Sequence, residues 1–114
     1  FTLDTSNAIP ASNISSVNAL ELKSNLSDVF ILDIRNQLEV LSMGGFPNSL
    51  HIPFEDLEAE SSKVPRDKTI VIVDFSGVEF QCAGSYLKEI GINDVRGLQG
   101  GVKDWIKQGY DLEN

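Results

Sequence analysis

Two carboxylates bound a short segment, Asp74-Phe75-Ser76-Gly77-Val78-Glu79, that directly follows the β-branched run Thr69-Ile70-Val71-Ile72-Val73. An acid at the carboxyl end of a strand has two uses. It can accept amide hydrogen bonds as a turn or N-cap residue, or it can serve as a phosphoacceptor beside a magnesium ion. The second use needs another acid and a lysine. Asp33 and Lys103 are the available residues, but their spacing fits poorly. Cys82, the sole cysteine, is the one candidate thiol nucleophile. It falls three residues past Glu79, beside an apolar helical stripe, and reads as structural. His51 precedes Pro53 with no second histidine or nearby cysteine, so no metal is expected. Gly100-Gly101 lacks the spacing of a phosphate-cradling loop and suits close backbone approach before a helix.

The elements that must position these residues alternate between short apolar runs and helical patterns, as in a parallel sheet covered on both faces. Ser15 or Ser16 is the expected cap of a first helix carrying Val17, Ala19, Leu20 and Leu22, with a short strand possible near Phe1 or Ile9. Val29-Phe30-Ile31-Leu32 is apolar throughout, so both its faces should be buried. A short helix over 37–42 is broken by Gly44-Gly45. Leu50-His51-Ile52 is a brief strand, and 54–60 another short helix. Residues 69–73 form the strongest strand, β-branched at every position. Phe80, Ala83, Leu87 and Ile90 mark the core stripe of a helix over 79–90, closed by Gly91. Asp94-Val95-Arg96 is the last strand. Gly100-Gly101 opens a final helix bearing Val102, Trp105 and Ile106. In such sheets the working groups stand outside the carboxyl ends of strands, here 33–35 and 74–79.

Composition narrows the function classes. The 114 residues, 41% hydrophobic, suffice for one domain with its own core. The chain opens on Phe1, so a single domain over 1–114, processed or cut from something longer, is expected. A net charge of −8 disfavours nucleic acid and anionic membranes. No apolar run is long enough to span a bilayer. One cysteine excludes an internal disulfide and any CxxC motif. A cytoplasmic domain without cofactor is the expectation.

Four segments, in order, resemble the rhodanese family of sulfurtransferases. Ile31-Leu32-Asp33-Ile34-Arg35 followed by Glu39 resembles "LLDVR" and its "xxE". Residues 46–53, Phe46-Pro47-Asn48-Ser49-Leu50-His51-Ile52-Pro53, resemble "HIPGAxxIP" with a shift of one residue. Asp74 to Glu79 resembles the "CxxGxR" active-site loop, and Gly97 to Trp105 the closing "xLxGGxxxW". The resemblance implies a rhodanese-like α/β fold, an open and mainly parallel sheet with helices on both faces. It also implies that Asp33 and Arg35 make buried or semi-buried contacts holding loops together.

The departures fall at the centre of the loop. The family's loop wraps backbone amides around a cysteine sulfur, and an arginine assists with anionic donors. Asp74 stands at the cysteine position and Glu79 at the arginine position. A carboxylate cannot carry a sulfane sulfur, and Glu79 would repel thiosulfate-like anions. Set among amides, Asp74 would act as an internal anion, its pKa held below about 3.9 by those bonds unless burial or Glu79 prevailed. Phe75 and Val78, if turned outward, would make an apolar patch rimmed by acids. The expected function is a non-catalytic module that binds or regulates a protein partner or neighbouring domain. Asp33, Arg35, Phe75, Val78 and Glu79 are its candidate binding residues. The alternative is a sulfurtransferase working through Cys82, or as one domain of a larger sulfur-metabolism enzyme.

Overall fold

The computed structural model describes residues 14–113. In chain order the elements are β1 (Ser15–Val17), α1 (Ala19–Ser24), β2 (Phe30–Asp33), α2 (Gln37–Met43), β3 (Leu50–His51), α3 (Leu57–Glu60), β4 (Ile70–Val73), α4 (Phe80–Glu89), β5 (Val95–Leu98) and α5 (Gly101–Lys107). Short 3-10 turns at Leu26–Asp28, Phe54–Asp56 and Ser61–Lys63 fill in between them. The strands form one sheet in the order β1-β5-β4-β2-β3, with every neighbouring pair parallel.

β4 occupies the centre because its sequence leaves it no solvent-facing side. Ile70, Val71, Ile72 and Val73 are all buried. Successive side chains of a strand point to opposite faces. Ile70 and Ile72 therefore join Leu32, Phe80, Ala83 and Leu87 under α3 and α4. Val71 and Val73 join Ile31, Leu22, Val102 and Trp105 under α1 and α5. Each such side chain contributes about 1.5–3 kcal/mol of burial, so β4 anchors both halves of the core. The expected architecture, a parallel sheet with helices on both faces, is the one observed.

Two helices start on the same local device. Asn18 and Asn36 each accept the backbone N–H of the residue three positions on, Glu21 and Glu39, at 2.8 Å. The glutamates accept the asparagine N–H groups in return, at 3.0 and 3.2 Å. The first of these corrects the sequence expectation at the amino end. Asn18, not Ser15 or Ser16, caps α1, and residues 15–17 form the edge strand β1 paired with β5. The strand looked for near Phe1 or Ile9 lies outside the described residues. The last strand runs to Leu98 instead of stopping at Arg96. Gly97 carries no side chain to betray a strand, and its place is set by the Phe80 ring lying against it. The carboxyl end of the described chain returns to the body, with Gly45 and Glu113 exchanging backbone bonds of 2.7 and 2.9 Å. Among the described residues no helix is long and apolar enough to cross a membrane.

Candidate functional site

The carboxyl ends of β2 and β4 lie side by side, Asp33 in register with Val73. Asp74 leaves β4 buried, at 1% exposure. Its Oδ1 accepts the Gly77 N–H at 2.6 Å and its Oδ2 accepts the Phe80 N–H at 2.9 Å. The first bond closes the turn. The second satisfies the first amide of α4, whose N-cap residue, Glu79, supplies no side-chain bond of its own. One carboxylate therefore performs as both turn former and helix cap, and the two expected uses of an amide-accepting Asp74 coincide.

Burial nonetheless wins over these bonds. The Asp74 carboxyl is pushed above its ordinary value by desolvation, and the amides of Gly77, Phe80, Glu79 and Asp74 itself pull it down without cancelling that rise. This corrects the expectation of a depressed pKa. Of the two opposing influences named for it, burial and Glu79, burial is the one that prevails. The opening of α5 packs directly on the loop, the Val102 and Lys103 N–H groups donating to the Asp74 and Phe75 carbonyls, each at 2.9 Å. Gly101, at φ +64°, permits that approach, since a Cβ there would meet the Phe75 oxygen at 2.5 Å. Gly77, at φ +85°, faces the Gly100 nitrogen in the same way, at 2.6 Å from an added Cβ. The Gly100-Gly101 pair thus serves close approach, as its lack of phosphate-loop spacing suggested.

Glu79 is half-buried, and its carboxyl is raised first by burial and then by the charges of Asp74, Glu39 and Glu55. Sequence reasoning missed Glu39 and Glu55 as neighbours of Glu79. Glu39 carried a signal, its place in the Asn36 capping pair that fixes the start of α2. Glu55 carried none, because only the fold brings it there. Phe75 and Val78 do project outward, 37% and 71% exposed. Phe80 turns into the core against Gly97.

Asp33 and Arg35 are both buried to 1% exposure. Arg35 Nη2 meets Asp33 Oδ2 at 2.7 Å and the Gly44 carbonyl at 2.7 Å, while Nε reaches Oδ1 at 3.0 Å. The pair pins the end of α2 to the end of β2, and neither side chain reaches a surface where a partner could touch it. His51 donates from Nε2 to the Arg35 carbonyl at 2.7 Å, which ties β3 to the same corner. Cys82 lies partly buried in the first turn of α4. Asp33 is committed to Arg35 and is not turned toward Asp74 as a receiver-type acid pair would require. Lys103 contributes its backbone amide to the loop.

The loop is thus closed by its own carboxylate and fastened by amides from α5. The rhodanese-like domain family model matches residues 17–108. A sulfurtransferase of Allochromatium vinosum is 30% identical over 99 residues, 87% of this chain and 92% of that protein. The thiosulfate sulfurtransferase GlpE of Coxiella burnetii is 29% identical over 92 residues, 81% of this chain and 84% of that protein. The solved structure of a rhodanese-like domain protein from Staphylococcus aureus aligns with a TM-score of 0.77 at 28% identity, covering 89% of this chain and all of that one.

Proposed function

This chain belongs to the rhodanese-like domain family, and from that premise we propose that it is a non-catalytic member, a cytoplasmic module that binds or regulates a protein partner or a neighbouring domain. Its relatives include sulfurtransferases. Sulfur transfer from thiosulfate needs a thiolate that attacks the sulfane sulfur, expels sulfite and holds the sulfur as a persulfide until cyanide removes it as thiocyanate. Asp74, at the position where the family's loop carries cysteine, offers only oxygen. The observation that carries the reading is the pair of amide bonds from Gly77 and Phe80 to the buried Asp74 carboxylate. They give it the ligation a sulfur anion would receive, so the loop keeps its form with its reacting position filled. Glu79 adds an anion where an anionic donor would have to enter.

The experiment is a thiosulfate:cyanide assay on the purified chain, on Cys82→Ala, and on Asp74→Cys combined with Glu79→Arg. We expect no thiocyanate from the first two and measurable turnover from the third, whose thiol would sit among the same amides. Turnover by the natural chain that disappears in Cys82→Ala would establish the sulfurtransferase alternative in its place.

A further inference from the structure

We propose that a recess at the amino end of the sheet, between α1 and the strands β4 and β5, binds a small zwitterion. The ligand carries a primary ammonium at one end, a carboxylate at the other and a short apolar body between them. The recess lies apart from the 74–79 loop, because Val29 and Thr69, which line it, stand just before β2 and β4 while the loop follows β4. Its occupation is therefore independent of whether the loop transfers sulfur.

The first support is shape. Val71 on β4 and Leu98 on β5 belong to the core under α1 and α5. Arg96 lies two residues before Leu98, and so on the same face of the sheet, in register with Val71. Unlike them it is exposed, and beside it opens a recess of about 250 Å³. Leu22 and Val71 line its inner end, each only 1% exposed, while the half-buried Val17 and Val29 supply apolar contact nearer the mouth. Pockets for drug-sized ligands run to roughly 300–1,000 Å³, so this one admits only a small molecule.

The second support is the hydrogen-bonding capacity left unused around it. α1 and the turn after it contribute three acceptors. Glu21 accepts the Asn18 N–H with Oε1 at 3.0 Å, which leaves Oε2. Asn25 donates from Nδ2 to the Glu21 carbonyl at 2.7 Å, which leaves Oδ1. The Asp28 carboxylate has no hydrogen-bond or ion-pair partner among the described residues. Three acceptors match the three N–H groups of a primary ammonium. The sheet contributes the opposite charge. Arg96 Nε stands 3.5 Å from Asp94 Oδ1, and the other Asp94 oxygen takes the Thr69 hydroxyl at 2.6 Å. Neither Nη group of Arg96 has a partner among the described residues, so the end of the guanidinium is open to a carboxylate. No ion pair joins Arg96 to Glu21 or Asp28, and the space between them is left to a molecule that reaches both.

The test titrates the whole chain, labelled with 15N, with ε-aminocaproate, caproate and hexylamine, which share one carbon chain and differ in their charged ends. ε-Aminocaproate should saturate it with a dissociation constant on the order of 1 mM, shifting the amide signals of Val17, Leu22, Val71 and Arg96. Caproate and hexylamine, each lacking one charged end, should bind about tenfold more weakly. Arg96→Gln should bring ε-aminocaproate down to the level of hexylamine and leave hexylamine unchanged. Asp28→Asn should weaken ε-aminocaproate and hexylamine alike, by about fivefold, and leave caproate unchanged. Both positions are exposed, and an otherwise unmoved spectrum verifies the fold. Equal binding of all three compounds, shifts centred elsewhere, indifference to either substitution, or no saturation would each overturn the proposal.

Discussion

At position 74 the surrounding amides favour the ionised carboxylate while burial favours the neutral one, and burial prevails. The consequence for stability has a definite sign. A carboxyl whose folded pKa is raised holds its proton where the unfolded chain has lost it. Stability then falls as pH climbs from the unfolded value, near 3.9, through the higher folded one. Glu79 acts in the same direction. In Asp74→Asn this contribution from position 74 vanishes. The amide side chain also has a single acceptor oxygen, so the Gly77 or the Phe80 N–H loses its partner at a cost of about 1–3 kcal/mol. Urea denaturation between about pH 4 and 7 should show the natural chain gaining on Asp74→Asn as pH falls. A constant difference would contradict the balance described. That Asp74 accepts amides was legible in the sequence, because a carboxylate before a helix start has few other partners. The direction of its pKa was not, because the depth of its burial is set by the fold and not by its neighbours in sequence.

Each element meets its neighbours through a few polar pins, and the sequence shows some of these better than others. β4 was readable from its β-branched run, β2 from its unbroken apolar run, and α4 from its apolar spacing. β1 was not, for three residues on a sheet edge leave no pattern, and serines at 15 and 16 imitate a helix cap. The corner joining β2, α2 and β3 depends on Arg35, which spans both Asp33 oxygens and the Gly44 carbonyl. Arg35→Ala would leave Asp33 buried without its counter-charge, and removing one partner of such a pair costs about 3–5 kcal/mol. The loss should appear as a lower denaturation midpoint and as faster hydrogen exchange in α2. Exchange unchanged in α2 would mean that the helix is held by something else. Gly101→Ala tests the other pin. Its Cβ would collide with the Phe75 carbonyl in a backbone region unsuited to alanine, and strain of about 1–3 kcal/mol should result.

Across the molecule, whose principal extents are 37 × 27 × 23 Å, a net charge of −8 acts at distances comparable to its width when salt is scarce. The screening length shrinks from about 30 Å at 0.01 M salt to about 8 Å at 0.15 M. The melting temperature should therefore rise by a few degrees between those conditions, and a fall would show that attractive pairs outweigh the self-repulsion. Charge and size were plain in the sequence, and so was the family fold, because its motifs recur in order. That the charges of Glu39 and Glu55 bear on Glu79 was not, since only the fold brings those segments within reach of one another. The fastening of the 74–79 backbone by α5 has a further consequence. Because the Asp74 and Phe75 carbonyls are gripped from a distant helix and the Asp74 carboxylate closes the turn, the segment's course is held without help from the side chains at 75, 76 and 78. Positions 75, 76 and 78 should then tolerate rewriting with little effect on the path, which makes this stretch a fixed mounting whose side chains selection, or an engineer, can exchange one residue at a time.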